Sequence, residues 1–135
     1  MIYFDEIKKA LKEYLDKNSI YAPFVTTVAT NQKYPKVVIE KVDDRELESD
    51  IQRLNIFSII NIELNIYAKD MTQGTKTLSG RTVATEIEEN IKMFMGNICG
   101  FKRTLDKPTP NIDTSIYRIT MRYQIKVSDT RKYIL

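Results

Sequence analysis

Ser115-Ile-Tyr-Arg-Ile-Thr-Met-Arg-Tyr-Gln-Ile-Lys-Val127 alternates without a break. Tyr117, Ile119, Met121, Tyr123, Ile125 and Val127 form one row, and Arg118, Thr120, Arg122, Gln124 and Lys126 the other. Strand side chains point to opposite faces with period two, so the pattern predicts a half-buried strand with one apolar face and one polar, basic face. At ~3.3 Å per residue it spans about 40 Å, well beyond the roughly 5 to 6 residues of an ordinary strand. A strand of that length on a small domain either crosses the whole sheet or projects past it, towards a partner.

A second long strand precedes it. Ile56, Ser58, Ile60, Ile62, Leu64 and Ile66 form one row. The opposite row, Phe57, Ile59, Asn61, Glu63, Asn65 and Tyr67, turns from apolar to polar, as in a strand buried on both faces at its start and on one face later. Further upstream, the β-branched run Phe24–Thr30 and the segment Tyr34–Val42, separated by the polar Asn31-Gln-Lys33, are expected to form a hairpin. Pro35 lacks an amide donor and marks a strand start or an edge. Asp43-Asp-Arg-Glu-Leu-Glu-Ser-Asp50 reads as an acidic, solvated connection, and Lys69–Ser79, with Gly74 near its tip, as an exposed loop of low order.

Two helices complete the pattern. Phe4, Ile7, Leu11, Tyr14 and Leu15 recur at helical spacing near the start, with Lys8, Lys9, Lys12 and Glu13 on the other side. Ser79 is a candidate N-cap for a second helix that places Val83, Ala84, Ile87, Ile91, Phe94 and Ile98 inward and Glu86, Glu88, Glu89 and Lys92 outward. Gly96 or Gly100 stops it; Gly100–Leu105 is a short strand, and Asp106–Asp113 a turn-rich link into the final strand. The order α-β-β-β-α-β-β predicts an α+β fold, with a mostly antiparallel sheet of about five strands and both helices on one face. A single domain over 1–135 is expected, with 128–135 as a contact tail, because Tyr133, Ile134 and Leu135 end the chain on apolar residues.

Composition narrows the chemistry. The chain has 135 residues, 42% hydrophobic and 29% charged, which is the profile of an ordinary globular domain able to bury a core. A net charge of +3 is too slight to argue for nucleic-acid binding by itself. The early acidic residues and the lack of a long apolar run predict no secretory signal and no membrane span, hence residence in a cytoplasm. With no histidine, every His-dependent triad, dyad and metal site is excluded. Cys99 is the sole cysteine and reads as a small core residue. The four glycines form no phosphate loop. Glu40, Asp43, Asp44 and Glu63 lie near strand ends, but nothing in their spacing makes a catalytic pair, so no catalytic, cofactor-binding or metal-ligating residue is assigned. The basic row Arg118, Arg122 and Lys126, with Lys102 and Arg103 on a neighbouring strand, is the candidate for facing DNA, because alternation aligns cations on one strand face. The solvated face of a sheet, and intersubunit pairing with the acidic Asp43–Asp50 segment, are the other two readings of the same row.

The element order, Asn65-Ile-Tyr-Ala-Lys-Asp70 closing a long strand, the helix from Arg81 to Met95, Gly100-Phe-Lys-Arg103 and Ile116-Tyr-Arg-Ile-Thr-Met-Arg-Tyr123 together resemble the tail terminator (tail completion) proteins of tailed bacteriophages and phage-tail-like particles. The resemblance spans nearly the whole chain. It implies a structural, non-enzymatic α+β subunit without cofactors, assembled in the bacterial host cytoplasm and resident in the tail or neck of the virion. It further implies a ring with copies of itself, usually a hexamer, that caps the tail tube, ends its polymerisation and meets the head–tail connector or stopper protein. Candidate subunit contacts are Asp43, Asp44, Glu46 and Glu48, Thr72 and Lys76, and Tyr133, Ile134 and Leu135; Arg118, Arg122 and Lys126 are candidates to line a channel for passing DNA. Another neck component or a tube subunit is the alternative within that class. A small nucleic-acid-binding module using the basic strand face is the alternative from another class.

Overall fold

The computed structural model describes residues 2–27, 33–50, 55–128 and 133–134, with side chains described over 4–27, 33–42, 59–72 and 74–126. Helix α1 (Ile2–Asn18) leads into a short strand β1 (Phe24–Thr26) and two long strands, β2 (Lys36–Asp50) and β3 (Asn55–Lys69). A small hairpin, β4 (Met71–Gln73) and β5 (Lys76–Leu78), precedes helix α2 (Gly80–Lys92), which continues as a π-helical turn over Met93–Ile98. Strands β6 (Lys102–Pro108), β7 (Ile116–Ser128) and β8 (Tyr133–Ile134) follow. The main sheet runs β1-β2-β3-β7-β6, with β8 also on β7, and every pairing is antiparallel except β1 with β2. This is the expected α+β class.

The apolar row of the quoted stretch buries as its alternation requires. Ile119, Met121, Tyr123 and Ile125 join Ile60, Ile62, Leu64 and Ile66 of β3 and Val37 and Ile39 of β2 in one core with the helices. Helix α1 contributes Ile7, Leu11 and Leu15, and α2 contributes Val83, Ala84, Ile87 and Ile91. At roughly 1.5–3 kcal/mol per fully buried aliphatic side chain, this row supplies most of the drive that holds the helices on the sheet. Glu86 ties the helices together. Its carboxylate accepts from Ser19 Oγ (2.6 Å), Ile20 N (3.2 Å) and Asn90 Nδ2 (2.6 Å), so it is a bridge to the C-terminal end of α1 and not a solvated residue.

Five local expectations are corrected. β1 and β2 are not a hairpin: they run parallel, Phe24 beside Lys36 and Val25 beside Val37, because β-branched content marks strands without encoding their direction. Asp43–Asp50 is not a loop but the second half of β2, paired along β3 through register shifts at Lys41/Asp43 and Glu46/Glu48. Bulges and charges are common on edge strands, and among the described residues this half pairs only with β3. Residues 69–79 form the β4–β5 hairpin, closed by Gly74 at φ +64°, with Met71 and Leu78 packed against the core. Asp106–Pro108 extends β6 past its expected end. Ile98 is exposed and Met95 is buried in its stead, because the wider π turn rotates the last residues off the α-helical register.

The expected Ser79 cap forms, its Oγ accepting from Thr82 N at 3.2 Å, and Gly100 at φ +76° ends the π turn. The two-sided burial expected at the start of β3 falls on 56–58, whose side chains lie outside the described residues, as do Phe24–Thr30 beyond Thr27 and residue Leu135. No helix among the described residues is long and apolar enough to cross a membrane.

Candidate functional site

Both helices cover the same side of the sheet, so the polar row of β7 lies on the open side. Cross-strand register places it beside the polar row of β3: Arg118 opposite Tyr67, Thr120 opposite Asn65, Arg122 opposite Glu63 and Gln124 opposite Asn61. Beyond β3, Tyr67, Asn65 and Glu63 face Lys36, Val38 and Glu40 of β2. The basic row is therefore met, rung by rung, by acceptors and rings.

Arg122 Nε donates to Glu63 Oε1 at 3.0 Å. Burial pushes the Glu63 carboxyl up, but hydrogen bonds from Arg122, Glu40 and Asn65 outweigh it and hold the group below its ordinary value. Glu40 moves the other way, first through the hydrogen bond it shares with Glu63, then through burial and the Glu63 charge, against the pull of Arg122. The result is an ion ladder, Arg122–Glu63–Glu40, across three strands. It brings together two of the four carboxylates singled out by position; Asp43 and Asp44 sit farther along β2, opposite Asn61 and Ile60.

Arg118 is half-buried. Its Nε donates to Asn65 Oδ1 at 2.9 Å, an atom that also accepts from Thr120 Oγ1 at 2.8 Å, and its guanidinium lies 5.3 Å from the Tyr67 ring centre. Lys36 Nζ lies 5.0 Å from the Tyr34 ring and 5.1 Å from Tyr67, and Lys69 Nζ 4.5 Å from Tyr34. Burial, then the nearby Lys69 charge, lowers the Lys36 ammonium below its ordinary value. Three cations thus collect around two tyrosines at one end of this face; Lys36 is buried, so Lys69 and the half-buried Arg118 are the charges that can meet a phosphate, beside rings suited to stacking. Sequence reading found only Arg118 of this set, since Tyr34 and Lys36 come from one segment and Tyr67 and Lys69 from another, and only the register aligns them with it.

Lys126 is exposed, opposite Ile59. Lys102 shares the open face, opposite Gln124, but Arg103 does not. A register shift between Arg103 and Leu105 leaves Arg103 opposite Tyr123 and Asp106 opposite Met121, both on the helix side. There Asp106 Oδ2 contacts Lys92 Nζ at 3.2 Å and Arg103 Nη1 at 3.7 Å, and Lys92 also lies 3.9 Å from Glu88. Burial, a hydrogen bond shared with Asp106 and the Asp106 charge push Glu88 up to about 7. Asp106 Oδ1 and Tyr123 Oη are buried without a hydrogen-bond partner, and burial pushes the Tyr123 phenol up to about 12. A shallow pocket of about 310 Å³ lined by Lys92, Met93, Phe101, Arg103 and Tyr123 opens beside this cluster. Nothing in the spacing signalled the cluster, because the β6 bulge decides which of its residues face the helix.

The candidate contact residues are distributed over the periphery. Asp43, Asp44, Glu46 and Glu48 lie in β2, opposite Asn61, Ile60, Ser58 and Phe57 of β3. Thr72 and Lys76 are exposed on the β4–β5 hairpin. Tyr133 and Ile134 form β8, paired to Ser128 and Val127, so this part of the tail docks on its own sheet. Among the described residues no group of three or more potential ligands is arranged to hold a metal ion. Cys99 packs against the core, and burial raises its thiol. No protein-family model matches this chain, and no curated protein matches it.

Proposed function

We propose that this chain is a structural, ring-forming subunit of a phage tail or phage-tail-like particle, one that caps the tail tube and joins it to the head connector. The observation that carries the reading is the disproportion between sheet and helices. β2 and β3 have 15 residues each, about 50 Å of ladder, whereas α1 has 17 residues and α2 has 13 continued by a 6-residue π turn, about 25–30 Å each. The ladder is therefore longer than either helix, and its outer half is the end at Asp50 and Asn55. A sheet longer than its helices has ladder left over, and a neighbouring copy is the partner that this reading supplies for it. The acidic residues of β2 and the β8 pairing belong to this outer half.

DNA passing through the ring is the one nucleic-acid contact we retain, and Lys69 and Arg118 beside Tyr34 and Tyr67 are the side chains suited to it. A dedicated nucleic-acid-binding module is disfavoured because Arg122, one of the three cations of the basic row, is engaged by Glu63. Negative-stain imaging of the protein, alone and mixed with tail tubes, tests the proposal. Rings, and tubes capped at fixed length, are expected; tubes that keep growing at both ends in its presence would refute the capping role.

A further inference from the structure

Arg118 faces two ways. Across the sheet it spends Nε on Asn65 Oδ1 at 2.9 Å, and its guanidinium lies 5.3 Å from the Tyr67 ring centre. Towards the connection between β6 and β7 it lines a second shallow pocket, of about 390 Å³, together with Pro108, Thr109, Pro110, Thr114 and Ile116. That volume is within the range of small-ligand sites.

The arginine is held in place before any ligand arrives. Asn65 Oδ1 also accepts from Thr120 Oγ1 at 2.8 Å, and Thr120 Oγ1 in turn accepts from Thr109 Oγ1 at 2.6 Å. Thr109 N donates to the Arg118 carbonyl at 2.9 Å, so one polar chain ties β3, β7 and the pocket wall together. Asn65 and Thr120 are buried, which keeps water from loosening the chain. Among the described residues, Nη1 and Nη2 of Arg118 have no hydrogen-bond acceptor. A planar fork fixed at Nε presents its remaining donors as a pair, the geometry that takes two oxygens of one anion.

Charge around the pocket favours a dianion. Lys107 is ladder partner of Thr120 on the open face and Lys69 of Ile116, and both lysines are exposed. The acid of the connection, Asp113, already accepts from Ser115 N at 3.0 Å and Ser115 Oγ at 2.6 Å. Three cations against one acid suit a phosphate monoester, with about −1.5 to −2 charges at neutral pH, better than a carboxylate with one. Pro108, Pro110 and Ile116 supply apolar wall for the rest of such a molecule.

We propose that this pocket binds a phosphate monoester with a ringed body, its phosphate on the Arg118 fork and its ring on Pro108, Pro110 and Ile116. Such a site works in a monomer as in a ring, so its failure leaves the ring reading untouched, and the reverse holds. Amide-resolved NMR titrations of the wild-type chain test it with phenyl phosphate, thymidine monophosphate, benzoate and inorganic phosphate. The two monoesters are expected to saturate, to shift the amides of Thr109, Thr114 and Arg118, and to bind at least about tenfold tighter than benzoate or inorganic phosphate. Either monoester supports the site, and the tighter one tells a nucleoside body from a simple ring.

Two variants locate the anion. Arg118→Lys keeps the charge and loses the fork; Thr114→Asp puts a carboxylate on the exposed rim and leaves the Asn65 network alone. Each is expected to weaken the monoesters at least about tenfold, with the remaining amide spectrum showing that the chain is folded. Should Arg118→Lys not fold, Thr114→Asp alone decides. Absence of saturable binding, benzoate or inorganic phosphate binding as tightly as the monoesters, or an unchanged affinity in Thr114→Asp would each overturn the proposal.

Discussion

Arg122 and Glu63 are direct ladder partners on β7 and β3, and the guanidinium Nε donates to the Glu63 carboxylate at 3.0 Å on the open side of the sheet. One residue of the basic row is thereby balanced within its own subunit. Arg122→Ala is predicted to destabilise the fold by about 1 kcal/mol at pH 7, since Arg122 is half exposed and its pairing is partly screened. Glu63 is held below its ordinary value, so its contribution is present above the unfolded carboxylate range and is lost as pH falls through the folded value. Urea unfolding should therefore show the gap between wild type and variant closing as the pH drops below about 4.

Glu88 gives the opposite sign. Its carboxyl is raised to about 7, so its contribution is fully present below the unfolded value of 4.5 and is lost as pH rises through the folded one. A proton on Glu88 also offers a donor to Asp106, whose buried Oδ1 otherwise has none. Wild-type stability should fall by on the order of 1 kcal/mol between pH 5 and pH 8 from this group. Glu88→Gln, which carries a permanent donor, should flatten that slope and exceed wild type at pH 8; urea midpoints at the two pH values measure it.

Tyr123 is 1% exposed, and its hydroxyl has no hydrogen-bond partner. Tyr123→Phe keeps the ring and removes a desolvated polar atom, so it should be neutral or stabilising by up to about 1 kcal/mol. Tyr123→Ala, leaving a cavity under the π turn, should cost about 3–5 kcal/mol. Thermal unfolding of the two variants distinguishes a packing role from a hydrogen-bonding one.

Gly80 sets the distance between α2 and the sheet. A Cβ there would lie 2.7 Å from the Ala68 carbonyl oxygen and 3.3 Å from Tyr117 Cβ, and both obstacles are backbone or directly attached to it. Gly80→Ala should push the helix start off β3 and cost about 1–3 kcal/mol. It should also lengthen the 2.8 Å hydrogen bond from Gly80 N to Asp70 Oδ1, visible as faster amide exchange at Gly80.

The strand at the end of the chain and both helices were legible in the sequence because each has one unbroken periodicity and one buried face. Asp43–Asp50 was not, since a charged strand lacks the apolar alternation by which Ile60–Ile66 announces itself; the ladder from β3 holds it extended. Ile98 was misplaced because a π turn changes the residue count per turn after Lys92. Of the candidate site, Arg118, Arg122 and Glu63 were found but their pairing was not: Asn65, Glu63 and Tyr67 reach the two arginines only through a register that local pattern does not encode.

For the tyrosine-framed cations, Lys69→Glu with Arg118→Glu should weaken binding of single-stranded DNA and reduce the slope of log affinity against log salt by about 1–2. Reversing Arg122, already paired with Glu63, should change that slope by less. Titrations at two salt concentrations make the comparison.

The central proposal is that copies of this chain close into a ring. Native mass spectrometry of the wild-type chain across a concentration series tests it most directly. The account predicts a single closed oligomer of fixed stoichiometry above a threshold concentration, with no larger species. A chain that remains monomeric throughout, or that stops at a two-fold dimer, would contradict it.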